Sequence, residues 1–179
     1  MDKFQIGNQL YDSLVGHVPQ NPNYATYCHR EFSEIEMIVV HHTASDTYCR
    51  TAEELAADMG RADRKPPYPS IPYHVVIEQD GHVVVCQSLD TLSWHADGLP
   101  RREGVGINNW IGVGVVLIGD FTWHWPYRPQ LASLRSLAAE IEYAMGKRLA
   151  LVRHRDVAAT QCPGDTSLGG WFDVILKGG

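Results

Sequence analysis

Ile35-Glu36-Met37-Ile38-Val39-Val40-His41-His42-Thr43-Ala44 is the stretch that decides the fold. From Ile35 to Val40 the side chains are mostly apolar and rich in β-branched types. The run is too short for a buried helix and suits a strand in the middle of a sheet. It stops at two histidines, and the end of a strand is where ligands usually bind.

The pattern continues outward from that strand. Thr51 with Glu54 three residues on is a capping box, and Leu55 and Met59 continue the apolar stripe of the helix it opens. Residues 62–72 hold four prolines and read as a loop. Tyr73–Gln79 and His82–Gln87 are two strand-like runs around Asp80-Gly81, a strong hairpin signal. Residues 96–109 form a polar, glycine-rich loop, and Trp110–Ile118 is a second continuous apolar run, as expected of a strand covered on both faces. Leu131, Leu134, Leu137, Ala138, Ile141 and Met145 recur at helical spacing, with Gly146 where the helix should stop. Leu149–Val152 is a last strand leading to His154, and a short helix is expected over Leu168–Leu176. The alternation implies an α/β fold, a single domain with a central mixed β-sheet flanked by α-helices. Residues 1–33 read as an N-terminal extension packing on the domain, with a short helix over Asn8–Val15, and residues 34–179 as the catalytic domain.

Bulk composition excludes several classes. The chain has 179 residues, 44% hydrophobic and 20% charged, with a net charge of −6. That is a folded domain without the basic surface a nucleic-acid partner requires. No apolar run approaches the roughly 20 residues of a membrane span. Met1-Asp2-Lys3-Phe4-Gln5 lacks the basic start and apolar stretch of a signal peptide, so synthesis in the cytoplasm is expected, as a monomer that acts elsewhere only after release. The four cysteines are few for a disulfide scaffold. Cys28 and Cys49, across the first strand, are the pair to consider, but spacing alone assigns no bridge. Cys28, Cys49 and Cys86 are expected to stand outside the chemistry.

His41, His154 and Cys162 are the candidate ligands. Two follow buried strands, and Cys162 lies eight residues past His154, before Pro163-Gly164, in a loop able to fold back. Two imidazoles and a thiolate suit zinc, and three protein ligands leave a fourth position for water, the mark of a catalytic site. Each residue also has a plainer reading, as a polar strand end or a small apolar filler. A cysteine hydrolase, with Cys162 as nucleophile and His154 as base, uses the same residues. A blue-copper site would want a methionine near Cys162, and none is there.

The segment from Ile38 to Ala44 closely resembles the first metal-ligand motif of the type 2 N-acetylmuramoyl-L-alanine amidases. That family includes the peptidoglycan recognition proteins and the amidase-type phage lysozymes. Ile71–Ile77 with Asp80-Gly81 resembles its central hairpin, and Ser93-Trp94-His95-Ala96 followed by Asn108–Val113 its substrate loop and next strand. Val152–Val157 through Cys162-Pro163-Gly164 resembles its remaining ligand motifs, so the likeness spans about residues 35–175.

The resemblance implies one Zn2+ per chain on His41, His154 and Cys162. It implies hydrolysis of the amide between N-acetylmuramic acid and L-alanine of peptidoglycan, in the role of a phage or prophage endolysin. A cytosolic muropeptide-recycling amidase and a non-catalytic peptidoglycan-binding module are the alternatives. Some recognition proteins lack the zinc cysteine, which this chain has. Tyr73 matches the catalytic tyrosine. Thr160 stands where recognition-protein amidases carry threonine and the phage enzymes lysine. His95, Asn109 and His42 fall on the substrate side of the motif, with His42 also able to support the site by packing. The loop between His95 and Asn108 is longer than usual, and with Trp123–Pro126 it is expected to rim the cleft.

Overall fold

The first thirteen residues form a hairpin where a helix was expected over Asn8–Val15. In the computed structural model, which describes residues 1–164 and 170–173, β1 (Asp2–Ile6) pairs antiparallel with β2 (Gln9–Ser13). The two-residue loop Gly7-Asn8 takes φ 58° at Gly7, the left-handed value that tight hairpin loops demand. Burial alternates with period two: Phe4, Ile6, Tyr11 and Ser13 turn inward while Lys3, Gln5 and Gln9 stay exposed. A helix here would scatter those residues over all faces.

After a 3-10 turn at Phe32–Glu34, β3 runs Met37–His42, two residues later than the sequence suggested, so both histidines belong to it. Helix α1 (Ala52–Met59) starts at Thr51, whose hydroxyl accepts the Glu54 N–H. Strands β4 (Val75–Ile77) and β5 (Val83–Val85) form the hairpin around Asp80-Gly81, with φ 90° at Gly81. β6 (Arg101–Arg102) and β7 (Val105–Gly106) make a separate small hairpin.

The second apolar run is split. Ile107–Ile111 is helix α2, and only Gly112–Leu117 is strand β8. A short apolar run does not by itself distinguish a strand from a buried helical turn. Helix α3 covers Arg128–Met145 and ends at Gly146 with φ 63°. β9 (Ala150–Arg153) leads straight into α4 (His154–Val157). Trp171, Phe172 and Asp173 are helical, and the remainder of the helix expected over Leu168–Leu176 lies outside the described residues.

Seven strands form one mixed sheet in the order β1-β2-β5-β4-β8-β3-β9. The hairpins are antiparallel, and β2–β5, β4–β8, β8–β3 and β3–β9 are parallel. Alternate residues feed two faces. Ile38, Val40, Val75, Ile77, Val113, Val115 and Leu117 pack with Leu134, Leu137 and Ile141 of α3. Val76, Val84, Val116 and Ile118 pack with Ala52, Leu55 and Ala56 of α1. Every residue of β8 is buried, which is why no alternation showed in its sequence.

All four cysteines are free thiols, so Cys28 and Cys49 form no bridge. Among the described residues, no helix is long and apolar enough to cross a membrane.

Candidate active site

Register brings the two candidate histidine ligands together. β3 and β9 are parallel, with Val40 opposite Arg153, so His41 on β3 and His154, the residue that follows β9, come next at the same carboxyl edge. Their ring centroids lie 4.4 Å apart. The loop after α4 returns Cys162 to the same edge: the Arg155 N–H donates to the Cys162 carbonyl at 2.9 Å, and the His42 N–H points at Sγ from 3.4 Å. Gly164 lets this loop lie against the segment that follows β8, since a Cβ there would come within 2.6 Å of the Thr122 nitrogen. His41 Nδ1 stands 3.8 Å from Cys162 Sγ, and the potential ligand atoms of His41, His154 and Cys162 all lie within 4.8 Å of one another.

Burial sets the protonation of this cluster. His41 is only 1% exposed, and burial, reinforced by the neighbouring His154, holds its imidazole well below its usual pKa. Burial lowers His154 to about 4. The Cys162 thiol is pushed up to about 12 by burial, against a small opposing pull from the His42 N–H. Two neutral imidazoles and a buried sulfur thus converge, a donor set that fits zinc.

The other expected residues surround this cluster. The Tyr73 ring is half-buried, 5.1 Å from the His41 ring, and burial raises its phenol so that it stays protonated. Its position is fixed by the next residue, His74, whose N–H donates to the Gly114 carbonyl at 2.9 Å. Thr160 Oγ1 accepts the Cys162 N–H at 3.2 Å, which leaves the hydroxyl proton for another acceptor. His42 turns its ring away onto Phe121, where Nδ1 accepts the Phe121 N–H at 3.3 Å. Asn109 is buried, and its side-chain oxygen accepts the Ala96 N–H at 2.7 Å. His95 is 6% exposed: Nδ1 lies 3.1 Å from His41 Nε2 and Nε2 lies 3.0 Å from the Gly112 carbonyl.

A cleft of about 510 Å³ opens beside His154 and Thr160. Asp97, Arg101 and Gly104–Gly106 line it, so the long loop after His95 does form a wall. Trp123 and Trp125 are not among its lining, and Trp123 is 75% exposed. His95, Asn109 and Trp94 also line it, as do Pro66 and Tyr68 of the loop over residues 62–72. The prolines marked that loop only as irregular, and nothing in the sequence placed it on the cleft. Arg30 was also missed. It is buried from outside the recognised motifs and donates to the backbone carbonyls of Asn109, Trp110 and Leu89.

Residues 31–165 match the family model described as N-acetylmuramoyl-L-alanine amidase. The chain belongs to this amidase family. Among curated relatives, an N-acetylmuramoyl-L-alanine amidase of Sus scrofa is 29% identical over 139 residues, covering 72% of this chain and 21% of that protein. Peptidoglycan-recognition protein 1 of Holotrichia diomphalia is 29% identical over 140 residues, 73% of this chain and 64% of its own length. The chain thus spans about a fifth of the first relative and just under two thirds of the second. Among solved structures, the endolysin of Thermus scotoductus bacteriophage Ph2119 shares the fold, with a TM-score of 0.68 at 24% identity over 94% of this chain and 99% of that one. The family match begins at residue 31, so it includes all three cluster residues and Tyr73 but leaves out Arg30.

Within this amidase fold, two glycines of β8 make the site's buried face possible. A Cβ on Gly114 would sit 2.6 Å from the His95 ring, and one on Gly112 3.2 Å from it. Gly114→Ala is therefore expected to destabilise the protein by about 1–3 kcal/mol, the usual cost of overpacking a close-packed interior. Denaturant unfolding checks this, and a midpoint equal to wild type would mean that His95 has room to yield.

Proposed function

We propose that the chain is a zinc-dependent hydrolase of the amide bond joining N-acetylmuramic acid to L-alanine in peptidoglycan. One observation carries the proposal: the donor atoms of His41, His154 and Cys162, the ligands that the resemblance implies, converge beside an open cleft. His41, His154 and Cys162 would hold a zinc ion, which would supply a Lewis acid for the scissile carbonyl and a water of lowered pKa. The protein's own groups do the rest. Tyr73 offers a protonated hydroxyl for charge developing on the carbonyl oxygen. Thr160 lines the cleft and accepts the Cys162 N–H, which leaves its hydroxyl proton available to a bound substrate. The cleft wall of Tyr68, Trp94 and Arg101 presents aromatic and cationic groups to sugar and peptide.

A non-catalytic recognition module has no use for the cysteine, which is present and placed with the two histidines. A cysteine hydrolase would use Cys162 and His154 without a metal, and a chelator separates it from the zinc enzyme. Our reading is the lytic role of an endolysin, which cuts assembled wall; the alternative is a recycling amidase, which cuts soluble fragments.

Purified sacculi provide the test. Digestion should release new amino groups on L-alanine and leave the sugar strands intact, by mass spectrometry, and a strong chelator should stop it. New reducing sugar ends, or cleavage within the stem peptide, would place the protein in another class of hydrolase. Activity confined to soluble muropeptides would reassign it to recycling.

A further inference from the structure

His95 lies on the α1 side of the sheet, in a lane that Gly112 and Gly114 clear along β8. Val39 and His41 of β3 stand opposite Gly114 and Val116, so the His95 ring lies alongside His41. The ring planes of His95 and His41 meet at 90°, with centroids 5.3 Å apart. Such an edge contact brings the ring nitrogens into line.

The hydrogen-bond partners then fix every proton along this line. A backbone carbonyl only accepts, so the His95 Nε2 that lies 3.0 Å from the Gly112 oxygen must carry its hydrogen. In the neutral ring Nδ1 is then a lone pair, and it faces His41 Nε2 at 3.1 Å. Two lone pairs cannot bond, so His41 Nε2 is the donor. The lone pair of His41 is thereby placed on Nδ1, the nitrogen 3.8 Å from Cys162 Sγ. The order Gly112 carbonyl, His95, His41 leaves one tautomer for each ring and ends in a lone pair aimed at the cluster.

We propose that His95 is a positioning residue which, through its contact with His41 Nε2, selects Nδ1 of His41 as the metal-binding atom. This rests on the zinc reading above. His95 also lines the cleft, so this role at the first ligand stands beside the substrate-side one that the resemblance implies. A ligating histidine commonly donates its other N–H to a carboxylate, a carbonyl or water, which fixes both tautomer and ring orientation. Here a second imidazole is the acceptor. A carboxylate in so buried a place would carry a charge needing its own partner, whereas an imidazole is neutral and hands the requirement on to a backbone carbonyl. Gly112 thus has two tasks: its missing side chain admits the ring, and its carbonyl orients it.

Two measurements test the assignment. In metal-free wild-type protein, nitrogen NMR of labelled histidines should find the His41 proton on Nε2. A proton on Nδ1 would overturn the proposal, and this readout needs neither zinc nor activity. Zinc affinity is then measured by competition with a chromogenic chelator. His95→Ala should weaken binding about 10–100-fold, the usual cost of losing such a support. His95→Asn, whose side-chain oxygen can take the place of Nδ1, should stay within about fivefold of wild type, well short of that cost. Equal loss in both variants, or none in either, would show that the acceptor at Nδ1 is not what matters. If His95→Ala fails to fold, the Asn variant and the wild-type proton position still decide. A wild-type protein that binds no zinc would defeat the zinc reading, while the proton position would still report on the arrangement of His95 and His41.

Discussion

Cys162→Ser should lose its zinc and about 10³-fold or more of its hydrolysis while keeping its fold. Lewis-acid stabilisation of the scissile carbonyl is worth several kcal/mol, and each 1.4 kcal/mol is about tenfold in rate. A serine hydroxyl is a far weaker zinc ligand than a thiolate, and two histidines alone leave the ion exposed to competing water. The fold should survive because backbone bonds hold the loop. The Cys162 carbonyl accepts the Arg155 N–H, the Cys162 N–H reaches Thr160, and the Gly164 N–H reaches the Gln161 carbonyl at 2.8 Å. Elemental analysis, a thermal melt and the sacculus assay read the three quantities separately. Retained hydrolysis without zinc would mean that the metal is not part of the reaction. A cysteine nucleophile would also fail in the serine variant, so wild-type protein treated with a chelator separates the two: only the metal mechanism stops.

Tyr73→Phe should lower kcat by about 10²–10³-fold, with KM and zinc content close to wild type. The phenylalanine keeps the ring beside His41 and removes only the hydroxyl. Negative charge grows on the amide oxygen as water adds, and a donor that strengthens as the charge develops acts mainly in the transition state. Burial keeps the Tyr73 phenol protonated well above neutrality, so it serves as donor and not as base. The deficit should therefore be the same at each pH across the neutral range. An unchanged kcat in a zinc-replete variant would reduce Tyr73 to packing. A deficit that disappears as pH rises would indicate a different protonation role.

The parts of this molecule that sequence revealed are those where one local rule suffices. β3 showed as an unbroken apolar run because it is buried on both faces. α1 showed through its Thr51 cap, α3 through its spacing and Gly146, and the central hairpin through Asp80-Gly81. The cluster was readable because its residues carry the family's motifs. The N-terminal hairpin was not, because it is short, half-exposed and paired with β5 some seventy residues away, as in Asp12 opposite Val84. Strand preference in such a place is set by the neighbour and not by the residues themselves. The role of His95 was hidden for a related reason. Its partners are a backbone carbonyl and another ring, and a sequence names side chains without showing where their nitrogens point. Arg30 lies in a stretch that carries no motif, yet burial lowers its guanidinium to about 10 among carbonyl acceptors supplied by segments far along the chain.

The N-terminal hairpin also sets where this domain can be cut for grafting into other proteins. The family match starts at residue 31, but β2 occupies the side of β5 that would otherwise end the sheet. A graft trimmed to the matched region would leave a strand of three valines, Val83–Val85, with open hydrogen-bonding groups, the kind of edge that recruits other chains. It would also discard Arg30 and release the carbonyls of Asn109 and Trp110 beside the cleft. A transplantable unit therefore keeps β1, β2 and Arg30, all ahead of the point where family likeness begins.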